Sequence, residues 1–215
     1  MNTSQVTVNH HADHPGFAGV TGLLFGLVFL AIGRAKARLA VEIASVTASD
    51  RVVDIGCGPG TAVRTAAGRG ARATGIDPSS AMLRVARAFT RGSARVDWAE
   101  GTAESLPVPT GSSTVVWSLA TVHHWKDVTK GLAEAHRVLA AGGRVLAIER
   151  QAADGATGLA SHGWTEQQAE SFAAQCRTAG FDDVRVEGRG AGRGMVWSVR
   201  GVKPQPTGVG EAVFE

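Results

Sequence analysis

Residues 52–60, which read VVDIGCGPG, are the part of the sequence with the clearest chemical meaning. Glycines stand at 56, 58 and 60, directly after a short apolar run and before a helical pattern. Glycine lets the backbone turn sharply and approach a ligand closely. A helix that begins there also presents unpaired N–H groups and the positive end of its dipole. Asp77 ends the next apolar run, where its carboxylate could accept hydrogen bonds from ribose hydroxyls. The pattern predicts a site for a nucleoside-containing ligand.

The spacing of these glycines argues against a dinucleotide ligand. A dinucleotide-binding loop needs Gly-x-Gly-x-x-Gly. Counted from Gly56 the third glycine would fall on Thr61, and counted from Gly58 it would fall on Val63. A nicotinamide-dependent oxidoreductase is therefore the weaker alternative, and a comparison of NAD binding with nucleoside binding would separate the two.

Two neighbouring histidines could transfer protons. His123 and His124 follow the apolar run 112–120, and an unperturbed imidazole pKa of about 6.5 suits a general base. A purely structural hydrogen-bonding role is the alternative for both. His162 and Trp164 lie in a later connection, where a position beside a pocket and an ordinary loop position are both open.

We expect no metal ion in this chain. Residues 1–16 contain His10, His11 and His14, but their polar composition favours a disordered terminus over a metal cluster. No group of carboxylates lies at 117–121, which makes a magnesium site at that strand end improbable.

Apolar runs and helical patterns alternate along most of the chain. Strands are predicted at 51–55, 71–77, 94–101, 112–120 and 144–150, and helices at 60–70, 78–92, 128–143 and 165–179. This alternation predicts an α/β fold in which a doubly wound, mostly parallel sheet carries helices on both faces. Residues 182–202 are typical of two strands joined by a glycine-rich turn, which makes seven strands with an antiparallel strand at the edge.

Composition sets the broad class of the protein. The chain has 215 residues, of which 44% are hydrophobic and 19% charged, which is typical of a globular domain with a substantial core. A net charge of +3 is too small to argue for nucleic acid as a partner. Cys57 and Cys176 have no metal-ligand spacing and indicate a reducing compartment. We therefore expect a cytoplasmic protein.

Several segments together resemble the motifs of class I S-adenosylmethionine-dependent methyltransferases. The glycine loop resembles motif I, GIDPSSAML resembles the second motif, EGTAESLPV the loop after the third strand, and VVWSLATVHHW the fourth-strand motif. EAHRVLAAGGRVLAIE and AGFDDVRVE resemble later family segments. The resemblance covers roughly residues 45–202 in the correct order, and it is strongest for the small-molecule branch that includes quinone-biosynthesis enzymes. It implies a Rossmann-like fold.

The resemblance also implies how the cofactor is held. Asp77 would bind the ribose, and Asp54 would support the glycine loop and the amino end of the cofactor. Thr102 stands where family members often have Asp, so its hydroxyl would contact the adenine amino group more weakly. The residues expected to bind the cofactor are Asp54, Gly56, Cys57, Gly58, Gly60, Asp77, Pro78, Ser79, Met82, Gly101, Thr102, Ala103, Glu104, Ser118, Leu119 and Ala120.

The implied reaction is in-line transfer of a methyl group from S-adenosyl-L-methionine, with S-adenosyl-L-homocysteine as product. The acceptor would be a small, hydrophobic molecule methylated on oxygen or carbon, with His123 and His124 as the catalytic residues. A cofactor-binding module without turnover, acting as a partner or regulator, is the alternative.

The segment Phe17–Arg38 carries no charge up to Gly33 and is followed by Arg34, Lys36 and Arg38. As a helix, the uncharged part would be about 25 Å long, slightly less than a hydrocarbon core of roughly 30 Å. We expect this segment to form a helical lid that covers the acceptor pocket. Peripheral membrane contact, a true membrane span and a homodimer contact are the alternatives. The predicted organisation is an arm and lid at 1–45, a methyltransferase domain at 46–203 and a tail at 204–215.

Overall fold

A seven-stranded sheet forms the centre of the protein in the computed structural model, which describes residues 6–11, 33–90 and 92–206. The strands are β1 (Arg51–Ile55), β2 (Arg72–Asp77), β3 (Val96–Glu100), β4 (Ser113–Leu119), β5 (Leu139–Arg150), β6 (Asp182–Ala191) and β7 (Gly194–Val202). The helices are α1 (Arg34–Ile43), α2 (Thr61–Ala67), α3 (Ser80–Ala88), α4 (Val128–Val138) and α5 (Glu166–Thr178), with short 3-10 turns at Val122–His124 and Gly158–Ser161.

The strand order is β3-β2-β1-β4-β5-β7-β6. Strands β1 to β5 run parallel, and β7 runs antiparallel to both of its neighbours, β5 and β6. This confirms the predicted doubly wound sheet and places the antiparallel pairing at the predicted edge. Strand β1 pairs with β2 on one side and with β4 on the other, so the order in which successive strands are added to the sheet reverses at β1. The carboxyl ends of β1 and β4 therefore open a crevice where such sheets bind ligands.

Two apolar clusters cover the two faces of the sheet. One cluster packs α4 and α5 against the sheet and contains Trp164 and Phe172, while the other packs α1, α2 and α3 and contains Trp117. Strand β1 is buried at four of its five positions, as expected for a central strand covered on both faces. The strand that carries the glycine loop is thus held from every side.

The boundary between α4 and β5 differs from the prediction. The helix ends at Val138 rather than at Gly143, and β5 begins at Leu139. Gly142 has φ +74°, and the pairing of β4 with β5 changes register between Ser113 and Val115. The double glycine therefore forms an irregularity inside the strand instead of a helix stop.

Residues 6–11, called the N-terminal strap below, pack against the domain. Val8 is buried in the core, and its carbonyl accepts a hydrogen bond from Trp164 Nε1 at 3.0 Å. Ser171 Oγ donates to the carbonyl of Val6, and Asn9 Nδ2 donates to that of Trp125. The expectation of a loose terminus is wrong for these residues, because their backbone groups find partners far along the chain.

The predicted lid lies mostly outside the described residues, since residues 12–32 fall in the gap between the strap and α1. Its cationic end belongs to α1, whose buried residues Ala37, Ala40 and Val41 face the sheet. The predicted tail is described only as far as Pro206. Within the described ranges, every helix is too short or too polar to cross a membrane.

Candidate functional site

The glycine loop directly follows β1 and depends on glycine at three positions. Gly56, Gly58 and Gly60 have φ values of +72°, +51° and +77°, a region that L side chains rarely adopt. A Cβ on Gly56 would lie 2.6 Å from Thr121 Oγ1, and one on Gly60 would lie 2.0 Å from the Trp98 ring. A Cβ on Gly58 would meet open space. The loop is therefore packed on its protein side and open at Gly58.

The end of β2 fixes this loop. The carbonyl of Ile76 accepts hydrogen bonds from the N–H groups of Gly56 and Cys57, at 2.8 and 3.0 Å. The two carboxylate oxygens of Asp77 accept from the N–H groups of Gly58 and Ser79, both at 2.8 Å. Asp77 thus joins the glycine loop to the start of α3. Sequence reasoning assigned Asp77 only a ligand-binding role and missed this contribution to the loop.

Two buried acids lie side by side at the base of this site. Asp54 is 2% exposed and Asp77 is 7% exposed. Burial, followed by the charge of Asp77, raises the pKa of Asp54 to about 8. Burial also raises the pKa of Asp77, against the two N–H groups that favour its charged form. A ligand that brings positive charge and hydroxyl donors would relieve this repulsion, and S-adenosylmethionine has both.

The loop, the acids and the carboxyl ends of β3 and β4 enclose one cleft of about 1100 Å³. Ligand sites for small molecules have volumes of roughly 300–1,000 Å³, so the cleft has room for a nucleoside and a second molecule. Most of the predicted cofactor-binding residues line it: Asp54, Gly56, Cys57, Gly58, Asp77, Pro78, Ser79, Met82, Gly101, Thr102, Ala103, Glu104, Leu119 and Ala120.

Two of the predicted residues lie behind the cleft wall. Gly60 caps α2 and packs on Trp98. Ser118 is buried, and its hydroxyl pairs with that of Thr121, which donates to the carbonyl of Ile55 at 3.0 Å. Both residues therefore shape the cleft wall and do not line the cleft. The prediction differed because glycine spacing and strand position indicate proximity to a ligand but not the direction in which a group faces. Glu104 lines the cleft and also accepts from the N–H groups of Lys126 and Asp127.

His123 is held by a buried carboxylate at the other end of the cleft. Its Nδ1 lies 2.9 Å from Glu149 Oε2, and Glu149 Oε1 accepts from the N–H of Val122, also at 2.9 Å. His123 is 3% exposed and Glu149 is fully buried. A carboxylate only accepts, so Nδ1 is the donor in this contact, and Nε2 is the nitrogen that Glu149 leaves available for other contacts. An imidazole oriented in this way, when it is neutral, can act through Nε2 as a base or as a metal ligand. Sequence reasoning missed Glu149, although a single acid ending an apolar strand was a usable signal.

Five imidazoles form what we call the histidine cluster: His10, His11, His123, His124 and His162. Ring centroids lie 4.1 Å apart for His123 and His124, 4.1 Å for His11 and His162, and 4.5 Å for His10 and His11. Partial burial, together with the neighbouring His123, lowers the pKa of His124 to about 4. The lowered pKa favours the neutral form of His124, which is the form that binds a metal ion.

The remaining sequence-predicted residues divide between cleft and core. His162 lines the cleft, whereas Trp164 is fully buried, with its ring 4.9 Å from that of Phe172. Lys36 also lines the cleft, and burial lowers its pKa while Glu149 opposes that effect. The sequence pattern placed Lys36 on the cationic end of a lid and gave no signal that it faces the site.

Comparison with known proteins agrees with this geometry. A family model described as a methyltransferase domain matches residues 53–147. The chain is 34% identical over 116 residues to the uncharacterized methyltransferase YcgJ of Bacillus subtilis, covering 53% of this chain and 46% of that one. It is 35% identical over 127 residues to the ubiquinone/menaquinone biosynthesis C-methyltransferase UbiE of Rubrivivax gelatinosus, covering 59% and 50%. The chain thus spans about half the length of these relatives.

The fold also has solved counterparts. Phosphoethanolamine N-methyltransferase 2 of Haemonchus contortus, solved in complex with S-adenosyl-L-methionine, aligns with a TM-score of 0.71 at 20% identity, covering 93% of this chain and 60% of that one. A likeness at this identity concerns the fold. The family match thus assigns a methyltransferase domain to residues 53–147, the part of the chain that contains the glycine loop and the two buried acids.

Proposed function

We propose that the protein transfers a methyl group from S-adenosylmethionine to a small, hydrophobic acceptor bound beside the histidine cluster. The observation that carries this proposal is one continuous cleft with two different ends. The glycine loop and two buried acids lie at one end, and His123, His124 and His162 line the other. When bound, the cofactor supplies a methyl group on a positively charged sulfur; the protein aligns the acceptor with it.

The described residues fit this cofactor. Asp77 keeps acceptor capacity beyond its two N–H partners, because a carboxylate offers about four lone-pair sites, and these suit the ribose hydroxyls. The carboxylate of Asp54 suits the cationic amino end of S-adenosylmethionine. The open side of Gly58 admits close approach of the ligand to the backbone. Thr102 and Ala103 lie after β3, where the adenine ring would be placed.

The histidines at the acceptor end favour an acceptor that must lose a proton when it is methylated. His123 and His124 are the proposed catalytic residues, because both border the cleft and the Nδ1–H of His123 is held by Glu149. Leu119 and Trp125 add apolar surface to the same end. The name of the relative UbiE, a ubiquinone/menaquinone biosynthesis C-methyltransferase, supports a ring-containing quinone precursor as the kind of acceptor.

The lid predicted for the apolar segment stays a proposal, because residues 12–32 lie outside the described residues. Its described flanks are beside the cleft: the His11 ring stacks on that of His162, which lines the cleft, and Gly33 lines the cleft before α1 begins. An apolar lid there would exclude water from the transfer.

An acceptor screen tests this function. The full chain would be incubated with S-adenosylmethionine and a panel of hydroxylated aromatic and enolic compounds, and release of S-adenosylhomocysteine would be measured. We expect acceptor-dependent release, and we expect Asp77→Asn to lose it while the exposed Asp97→Asn retains it. Cofactor binding without release for any acceptor would favour the non-catalytic binding module instead.

A further inference from the structure

We propose that His123, His124 and His162 bind a divalent transition metal ion such as Zn²⁺, and that this ion holds the oxygen of the acceptor. The metal-binding part stands on the histidine cluster alone, and the acceptor part rests on the proposed methyl transfer. The proposal departs from the expectation of no metal, because the fold brings His162 to His123 and His124, which the sequence spacing does not indicate.

The distances suit three ligands to one ion. The ligand atoms of these three histidines all lie within 4.8 Å of one another. Nitrogen ligands at 2.0–2.1 Å from a tetrahedral ion are about 3.3 Å apart. Small side-chain rotations, bringing the nitrogens together by roughly 1.5 Å, would complete the site. His124 is exposed and His162 is half-buried, so metal ions from the solvent can reach these two rings.

The hydrogen-bond partners already set the ring nitrogens for coordination. Glu149 accepts from Nδ1 of His123, and the carbonyl of His11 accepts from Nδ1 of His124 at 3.3 Å. Both interactions leave Nε2 as the nitrogen with the lone pair. Metal-ligating histidines almost always donate their other N–H to a carboxylate or a backbone carbonyl, which orients the ring and raises its basicity. The cluster shows both kinds of partner.

The strap holds the ligands in place. The N–H of His11 donates to the carbonyl of His123 at 2.9 Å, and the His11 ring stacks on His162 with an interplanar angle of 11°. His10 uses both ring nitrogens elsewhere, towards the carbonyl of Ser161 and towards Gln168. We therefore assign His10 and His11 a positioning role and not a ligating one.

The donor set selects the metal and leaves a position for the acceptor. Imidazole nitrogens suit zinc, copper, nickel and iron, whereas magnesium prefers oxygen ligands. Three protein ligands plus one open position is the arrangement of catalytic zinc sites, and an ion there would lower the pKa of a coordinated hydroxyl. The acceptor proton then passes to water, the acceptor oxygen bonds to the methyl carbon, and the carbon–sulfur bond breaks with its electron pair going to sulfur. The histidines act through the ion in this scheme, so the acceptors are hydroxyl or enol compounds.

Metal titration of the full chain, free of any histidine tag and stripped with a chelator, tests the site. Co²⁺ binding would be followed by visible absorption and by competition with Zn²⁺, with thermal melting as the check that each variant folds. We expect one ion per chain in the wild type, at least a tenfold weaker affinity in His162→Ala and in His124→Ala, and unchanged affinity in His136→Ala. His136 lies on α4 with its ring against Phe181, outside the cluster, and is the matched control.

Each outcome decides one part of the proposal. Absence of stoichiometric binding, or equal binding in His162→Ala and His136→Ala, overturns the metal site. Full methyl transfer after metal removal overturns the role of the ion in holding the acceptor. A metal site without methyl transfer to any acceptor overturns the proposed function and leaves the site standing. Calorimetry should find cofactor affinity unchanged in His162→Ala, since the cofactor end of the cleft does not include this residue.

Discussion

Binding of S-adenosylmethionine should release a proton from Asp54. The pKa of this acid is about 8 in the free protein, because burial and the charge of Asp77 both favour its neutral form. A carboxyl of that pKa is protonated in about nine molecules of ten at pH 7, so ionising it costs roughly 1.4 kcal/mol. A cationic ligand needs the ionised form, and binding must supply this free energy.

The dependence on pH follows from the same value. Affinity should rise about tenfold from pH 6 to pH 7 and about fivefold from pH 7 to pH 8, and then level off as Asp54 ionises without the ligand. Since Asp54 and Asp77 interact, the measured midpoint belongs to the pair. Calorimetry in buffers of different ionisation enthalpy should count about 0.9 proton released per cofactor bound at pH 7.

Two variants isolate the contribution of Asp54. Asp54→Asn removes the titrating group and should flatten the pH profile, whereas Asp97→Asn, on the exposed side of β3, should leave it unchanged. Any dependence that persists in Asp54→Asn comes from other groups. A wild-type affinity that is constant from pH 6 to pH 8, with no proton released, would refute the reasoning that the acids form a site for a cation.

Three further changes test the described structure. Asp77→Asn should weaken cofactor binding by about 1–3 kcal/mol in calorimetry, because the amide cannot accept from both Gly58 and Ser79; unchanged affinity would contradict its role. Gly60→Ala should lower the free energy of unfolding, measured in urea, by about 3 kcal/mol, because the added Cβ would overlap the Trp98 ring and residue 60 has a positive φ. Gly190→Ala is the control: a Cβ there would meet open space, so the free energy of unfolding should change by at most about 0.5 kcal/mol. Burial alone would raise the pKa of Asp50, but hydrogen bonds from Arg144, Thr114 and the Thr47 N–H hold it at about 2. The ionised form of Asp50 therefore stabilises the fold above pH 4 by about 2 kcal/mol. This stabilisation is lost as the pH falls towards 2. Asp50→Asn should cost that amount at pH 7 and progressively less in urea titrations at lower pH; an equal cost at pH 3 and pH 7 would contradict the assignment.

The features that could be predicted from the sequence are those that depend on local patterns. The alternation of apolar runs with helical patterns predicted the sheet and its helices. Glycines at every second position predicted the loop, and an acid at the end of the next apolar run predicted its partner. Hydrogen-bonded pairs far apart in the chain were not predictable, because no periodicity links His10 to Ser161, 151 residues away. The pairing of Glu149 with His123, 26 residues apart, was not predictable either, although an acid near the end of an apolar strand marked Glu149 itself as a candidate. For Trp164 the sequence left a position beside the pocket and an ordinary loop position open, and the structure buries it in the core instead, because a position in a loop says nothing about which side of the loop faces the core.

The strap also affects the order in which the protein matures on the ribosome. Val8 precedes Trp164, which donates to its carbonyl, by 156 residues, and Val6 precedes its partner Ser171 by 165 residues. The residues of β1, β2 and α2 are synthesised long before that point. The histidine end of the cleft is completed only when α5 has emerged and the strap packs against it, so the strap can take its place only after most of the domain has been synthesised.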